Sequence, residues 1–232
     1  MCHTLICMTN PAVLAMLHTV PGLIKDMEAL ASEVVPGIRV LHYVDESLLQ
    51  DTIARGTTPE HVRRRLVDYA RYAEESGAQA LLVSCSSIGE AATAAEDFVS
   101  IPVLRIDTPM AGLAVESGAR IGVLATLSAT LGPTTRLVRD SAQRRNKKPE
   151  ITARIVDGAF QALRAGDRSM HDSLVLAAFT ELAAECDVIV LAQASMARVI
   201  EHTQGQPEGP LVLASPDSGM SQLSTHFPSQ DS

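Results

Sequence analysis

Aromatic side chains are scarce in this chain. They make up 3% of its 232 residues, and there is no tryptophan. A core built without large rings must be packed with Val, Leu, Ile, Ala and Met, which suits a buried parallel sheet flanked by helices. Long apolar runs are missing as well. Stretches such as Val188–Ala192 fall far short of the roughly 20 residues a membrane span needs, so no membrane partner is expected. The N-terminus lacks the basic region, long apolar stretch and cleavage site of a secretory signal, and a cytoplasmic location is expected. Positive charge is in deficit: 19 Lys and Arg stand against 27 Asp and Glu, a net charge of -8. That leaves no electrostatic footprint for nucleic acid, and the cluster Arg144, Arg145, Lys147 and Lys148 reads as a solvated loop. The four cysteines, Cys2, Cys7, Cys85 and Cys186, show neither CxxC nor metal-ligand spacing, so reduced thiols are expected and a zinc site is not. Seven dispersed histidines contain no i, i+4 pair; His3, His42 and His202 come nearest to strand ends and read as structural. With no GxGxxG after the first strand and no GxxxxGK[ST], neither a dinucleotide nor a nucleoside triphosphate is indicated.

What is present is alternation. Short apolar strand candidates at 4–8, 37–43, 79–84, 102–106, 120–125, 151–156, 187–192 and 210–214 are separated by helical stretches, the pattern of an α/β protein with right-handed crossovers. One helix is especially legible. Thr58 is placed to cap it, Pro59 suits its first turn, and Val62, Leu66, Tyr69, Ala70 and Ala73 recur at helical spacing before Gly77.

An internal echo organises these units. The segment ALLVSCSSIG (80–89) matches VIVLAQASMA (188–197): an apolar strand, small polar residues, then a helix. Cys85 pairs with Gln193 at an interval of 108 residues (193 minus 85), and the same interval pairs Ile101-Pro102-Val103-Leu104 with Gly209-Pro210-Leu211-Val212. A looser match links the first strand, running into Thr9-Asn10-Pro11, with Ile121–Ala125, running into Thr126 and Ser128. Two pseudosymmetric lobes are expected, each a mainly parallel sheet flanked by helices. The first takes residues 1–112 and 210–232, the second 113–209, and Cys85 faces Gln193 across the cleft between them.

Cys85 is the principal candidate for chemistry. It follows a fully apolar strand and precedes Ser86, Ser87, Ile88 and Gly89, so its thiol meets the N-terminus of the next helix, where the helix dipole and free N–H groups favour thiolate. On its own a Cys at a strand end is more often a small buried hydrophobe; the Ser-Ser-Ile-Gly context reverses that reading. Thr126, Ser128, Thr130 and Thr134 form a hydroxyl-rich turn suited to a carboxylate or to helix capping, and Asn10 belongs to the same rim. Cys2, Cys7 and Cys186 read as packing or surface residues. The turn that opens at Ser215 borders the cleft, and Asp217 reads as a turn or capping residue.

These segments together resemble the aspartate/glutamate racemase superfamily, which includes hydantoin racemase, maleate isomerase and arylmalonate decarboxylase. The resemblance spans nearly the whole chain and rests on MTNPAV, VSCSSIGE, GVLATLSAT and VIVLAQASM. It implies a two-lobed α/β fold, an active site between the lobes, Cys85 as the catalytic thiol, and Asn10, Ser86, Ser87, Thr126 and Ser128 as groups that hold a substrate carboxylate. It also implies chemistry without metal, pyridoxal phosphate or nicotinamide. The departure is Gln193, which stands where racemising members carry a second Cys and which exchanges no proton at neutral pH. One-thiol chemistry on a small carboxylate or amino-acid-like compound is therefore expected, by proton delivery to one face or by addition to an activated double bond, with Gln193 orienting substrate or water. A non-catalytic small-acid sensor and a Cys hydrolase are the alternatives. Homo-oligomerisation is open.

Overall fold

The computed structural model describes residues 11–201 and 209–227. The strand expected at 4–8, and Asn10 with it, lie outside the described residues.

The chain runs β1 (Val13–His18), α1 (Ile24–Val34), β2 (Arg39–Val44), α2 (Glu46–Arg55), α3 (Glu60–Glu75), β3 (Ala80–Val83), α4 (Gly89–Ala95), β4 (Val103–Arg105) and α5 (Thr108–Ser117). It continues through β5 (Arg120–Ala125), α6 (Ser128–Arg144), β6 (Glu150–Ile155), α7 (Ala159–Arg164), α8 (Arg168–Ala183), β7 (Val188–Leu191), α9 (Ala194–Glu201), β8 (Leu211–Ala214), α10 (Ser215–Ser221) and α11 (Leu223–His226). Among the described residues the strands form two four-stranded parallel sheets, in the orders β2-β1-β3-β4 and β6-β5-β7-β8. Parallel pairing obliges each connection to cross over, so the helices cover both faces and the central strands are apolar on both sides.

Alternation along β1 shows how the layers are filled. Ala15 and Leu17 meet the buried stripe of α3, Val62, Leu66, Ala70 and Ala73. Leu14 and Met16 point the other way, onto Met27 and Ala31 of α1 and onto Met220, Leu223 and Phe227 from the end of the chain. The stripe read on α3 is therefore the buried face, but Thr58 does not cap it. Pro59 occupies the cap position without a side-chain bond, and the Thr58 hydroxyl donates to the Ser87 carbonyl at 3.3 Å instead.

Register makes the duplication explicit. Leu17 lies opposite Val83, and Leu124 lies opposite Leu191. The central strands thus correspond at intervals of 107 (124 minus 17) and 108 (191 minus 83). Leu104 lies opposite Leu82 and Leu213 opposite Val190, an interval of 109 for the outer strands (213 minus 104), one residue away from the Pro102–Pro210 alignment read in the sequence.

Three boundaries differ from the sequence reading. The first strand among the described residues is Val13–His18, just after Pro11, a segment the sequence reading did not place in a strand. β8 belongs to the second sheet, so a first lobe resuming at residue 210 is corrected to one resuming with α10 and α11. α5 packs Met110, Ala111, Ala114 and Val115 into the second-lobe core, which moves the crossing from residue 112 to the start of that helix. Small apolar faces pack on either sheet, which is why the pattern misplaced it. No helix among the described residues is long and apolar enough to cross a membrane.

Candidate active site

In each sheet the chain leaves the two central strands toward opposite edges, and the divergence opens a crevice beyond their carboxyl ends. Thr19 and Cys85 follow β1 and β3 at one crevice; Thr126 and Gln193 follow β5 and β7 at the other. By register Thr19 corresponds to Thr126 and Cys85 to Gln193. The turn Ser86–Ile88 leading into α4, and the first residues of α6 and α9, begin at these strand ends, and α10 begins at the end of the neighbouring β8, so free N–H groups are concentrated where an anion would sit. The crevices merge into one cleft of about 480 Å³, lined by Thr19, Ser84, Cys85, Ser86 and Ser87 from the first lobe and by Leu127, Thr130, Ala192, Gln193 and Ser195 from the second, with Ser215 and Pro216 at its edge.

Cys85 has extended backbone and is followed at once by the 3-10 turn Ser86–Ile88. Burial pushes its thiol above the ordinary range, against the opposing pull of the Thr19 hydroxyl, the Ser87 and Ile88 N–H groups and the Ser87 hydroxyl. The Ser-Ser-Ile-Gly turn thus brings donors toward the thiol as expected, while burial pulls against the thiolate those donors favour.

The mirror position is built differently. Gln193 Oε1 accepts from the Thr126 N–H at 2.6 Å and from its hydroxyl at 2.9 Å, so both Thr126 donors are spent on holding the amide oxygen. The Gln193 nitrogen is the end left for the cleft. Thr19 with Cys85 and Thr126 with Gln193 therefore occupy corresponding register positions, one pair carrying a protic side chain and the other an amide fixed by its threonine.

The remaining sequence candidates divide. Ser86 and Ser87 line the cleft, and the Ser87 hydroxyl also meets that of Thr130 at 2.7 Å, tying the lobes together. An ion pair from Arg136 to Glu90, at 2.5 Å, reinforces that seam and holds the Glu90 carboxyl below its usual range. Ser128 lines not the cleft but a separate cavity of about 260 Å³, with Glu90, Arg136 and loop residues 56–58 between α2 and α3. Thr134 is fully buried in α6. Cys186 is buried in the second-lobe core, and its thiol is pushed up by desolvation. Asp217 is exposed in the first turn of α10, whose cap position, Ala214, receives no side-chain bond. Among the described residues no cluster of three His, Cys, Asp or Glu is arranged to hold a metal ion.

Several lining residues escaped the sequence reading. Thr19 follows β1, which the sequence reading did not place as a strand, and Ser84 was read as the last residue of a strand that ends at Val83; aligning β1 with β5 by register would have paired Thr19 with Thr126. Arg168 and Arg198 reach the cleft from helices after β6 and β7, and Arg198 is held by Asp172 at 3.0 Å.

Comparison with solved structures places this architecture among known ones. Glutamate racemase RacE1 of Bacillus anthracis is 17% identical, with 92% of this chain and 80% of that one covered at a TM-score of 0.74. The aspartate racemase of Picrophilus torridus is 15% identical, with coverage of 93% and 94% and a TM-score of 0.68. An arylmalonate decarboxylase mutant with associated sulfate is 16% identical, with 94% of both chains covered and a TM-score of 0.56. No curated protein sequence matches. The family model for Asp/Glu/hydantoin racemases matches residues 18–222, the span from the end of β1 to α10, and the chain belongs to that family.

Proposed function

We propose that this enzyme is a cofactor-independent lyase or isomerase that delivers a proton from Cys85 to one face of an enediolate made from a small carboxylic acid. The observation that carries the reading is the inequality of the two mirror-related pairs. Corresponding positions beyond the central strands hold Cys85 in one lobe and Gln193 in the other, and Cys85 carries a transferable proton while Gln193 does not. A neutral, desolvated thiol is suited to act as an acid toward a carbanion. It is less suited to begin as a nucleophile, which counts against addition to a double bond and against an acyl-enzyme.

In the decarboxylating form of the reaction, a 2-substituted malonate loses CO2, and the electron pair of the broken C–C bond forms the enediolate. The Cys85 S–H then protonates its carbon, and the resulting thiolate, held by Thr19, Ser87 and Ile88, is reprotonated from solvent. Hydroxyls of Ser86 and Ser87, helix N–H groups and the Gln193 amide are the donors proposed for the enediolate oxygens, with Thr126 acting through Gln193. The structural neighbours, amino-acid racemases and an arylmalonate decarboxylase, support a small carboxylate as substrate.

The test is proton NMR in D2O with amino acids, hydantoins, unsaturated diacids and 2-substituted malonates. Turnover with deuterium entering on a single face, abolished in Cys85→Ala, is expected. Binding without turnover, unchanged in Cys85→Ala, would transfer the assignment to a small-acid sensor, and a trapped thioester would transfer it to a hydrolase.

A further inference from the structure

Beneath the Cys85 side of the cleft runs a chain of polar side chains that the proposed reaction has not used. The Ser84 hydroxyl, at the cleft wall, donates to the Leu17 carbonyl at 3.2 Å and lies 3.0 Å from His18 Nδ1, so it is placed to accept from that ring nitrogen. His18 Nε2 lies 3.0 Å from His42 Nδ1, and His18 is fully buried. His42 Nε2 is buried without a hydrogen-bond partner, and the nearest acid, Glu28 Oε2, stands 3.8 Å away on the exposed side of α1. That gap is too long for a hydrogen bond and short enough for the half-exposed Glu28 side chain or a water to close.

The second lobe supplies an internal control. By strand register His18 corresponds to Ala125, His42 to Ala153 and Ser84 to Ala192. The backbone bonds match as well: Ser84 N donates to Leu17 O at 3.0 Å, and Ala192 N donates to Leu124 O at 2.9 Å. The same sheet therefore folds with three alanines where the first lobe holds a half-buried hydroxyl, a half-buried imidazole and the fully buried imidazole of His18. Buried polar groups cost free energy, so the fold alone does not account for the chain.

We propose that Ser84, His18 and His42 form a proton path between the Cys85 side of the cleft and the surface at Glu28. In the inward direction His42 Nε2 takes a proton from the Glu28 carboxyl or an adjacent water. His42 Nδ1–H passes its proton to His18 Nε2, His18 Nδ1–H passes its own to Ser84 Oγ, and the original Ser84 hydroxyl proton leaves the Leu17 carbonyl and goes to the acceptor in the cleft. Each member gains one proton and loses one, so all leave neutral, with both imidazoles in the opposite tautomer; Glu28 is reprotonated by solvent. Burial and the neighbouring His42 lower His18 to about 4, so a transferred proton is not trapped on it. The purpose of the path rests on the one-thiol reading: each decarboxylation leaves Cys85 one proton short, and the path returns it.

Two readouts separate the path from that reading. In protein labelled with 15N-histidine, saturation transfer from water should reach the His18 ring proton, and Glu28→Gln or His42→Phe should slow that exchange about tenfold or more. Exchange unchanged in both variants, or a ring proton locked as long as the slowest core amides, overturns the path. On a substrate that depends on Cys85, Ser84→Ala should lower kcat about tenfold with little change in KM, and added imidazole should restore it. Wild-type kcat in Ser84→Ala, or no rescue, overturns the path as well. If ring exchange behaves as expected while the wild type turns over nothing, the one-thiol reading fails and the path stands as a property of the fold.

Discussion

Acidification provides the sharpest test of the buried imidazole. His18 is lowered from 6.5 to about 4, chiefly by burial and then by His42. The sign follows from linkage: between these two values the unfolded chain binds a proton that the folded chain refuses, so stability is present in full above 6.5 and is lost as pH falls toward 4. Integrating over one such group gives a loss of about 2 kcal/mol between pH 7 and pH 5, approaching about 3 kcal/mol at the acid end of the window. Carboxylates held low in the native state, such as Asp45, Asp172 and Asp187, contribute their own losses, but below their unfolded values near 3.8. Urea unfolding at half-unit steps from about pH 7.5 to 5 isolates the histidine contribution. In His18→Gln the baseline stability should drop, and the pH slope attributable to this site should vanish. A wild-type curve flat across the window, or a slope that survives in His18→Gln, refutes the reasoning.

Other outcomes rest on the same geometry. Arg105 and Asp107 form a buried bidentate pair at 2.9 Å for both bonds, so Asp107→Ala should cost about 3–5 kcal/mol by stranding the guanidinium, while joint replacement by Met and Leu should recover most of the loss in denaturant titrations. Gly219→Ala should lower the Tm, because a Cβ there would meet the Ile106 carbonyl oxygen at 2.2 Å, and backbone cannot swing aside as a side chain does. Iodoacetamide should label Cys85 slowly at neutral pH, with a rate still rising in the alkaline range; Thr19→Val should push that profile higher, since it removes a donor to the thiolate. Gln193→Cys, opposite a retained Thr126 hydroxyl, should add α-proton exchange on the second face of a chiral substrate, measured as loss of optical purity in D2O; unchanged stereochemistry would count against the mirror relation of the two pairs.

The sequence carries the repeat and hides the cleft's furniture, for reasons that are physical in both cases. VSCSSIG and LAQASMA are readable because a buried parallel strand needs four consecutive apolar residues, and the turn beyond it needs small polar ones; that demand recurs wherever β3 and β7 recur. Register is harder, since a pleated strand tolerates a slip that composition does not record, and the outer strands moved by one residue. Thr19 was lost because the apolar run before it was not read as a strand, and its pairing with β2 and β3 is what marks it as one. Ser128 was overvalued because a hydroxyl at a helix start looks the same in sequence whether the turn faces the cleft or the neighbouring cavity. His18 and His42 lie far apart in the chain, on adjacent strands, and became legible only as a pair. Once β1 and β5 are aligned, however, the contrast of His18, His42 and Ser84 with three alanines is itself a sequence fact. In a duplicated fold, the positions where the two halves disagree in polarity point to function more directly than those where they agree, because the agreeing positions are already explained by the sheet.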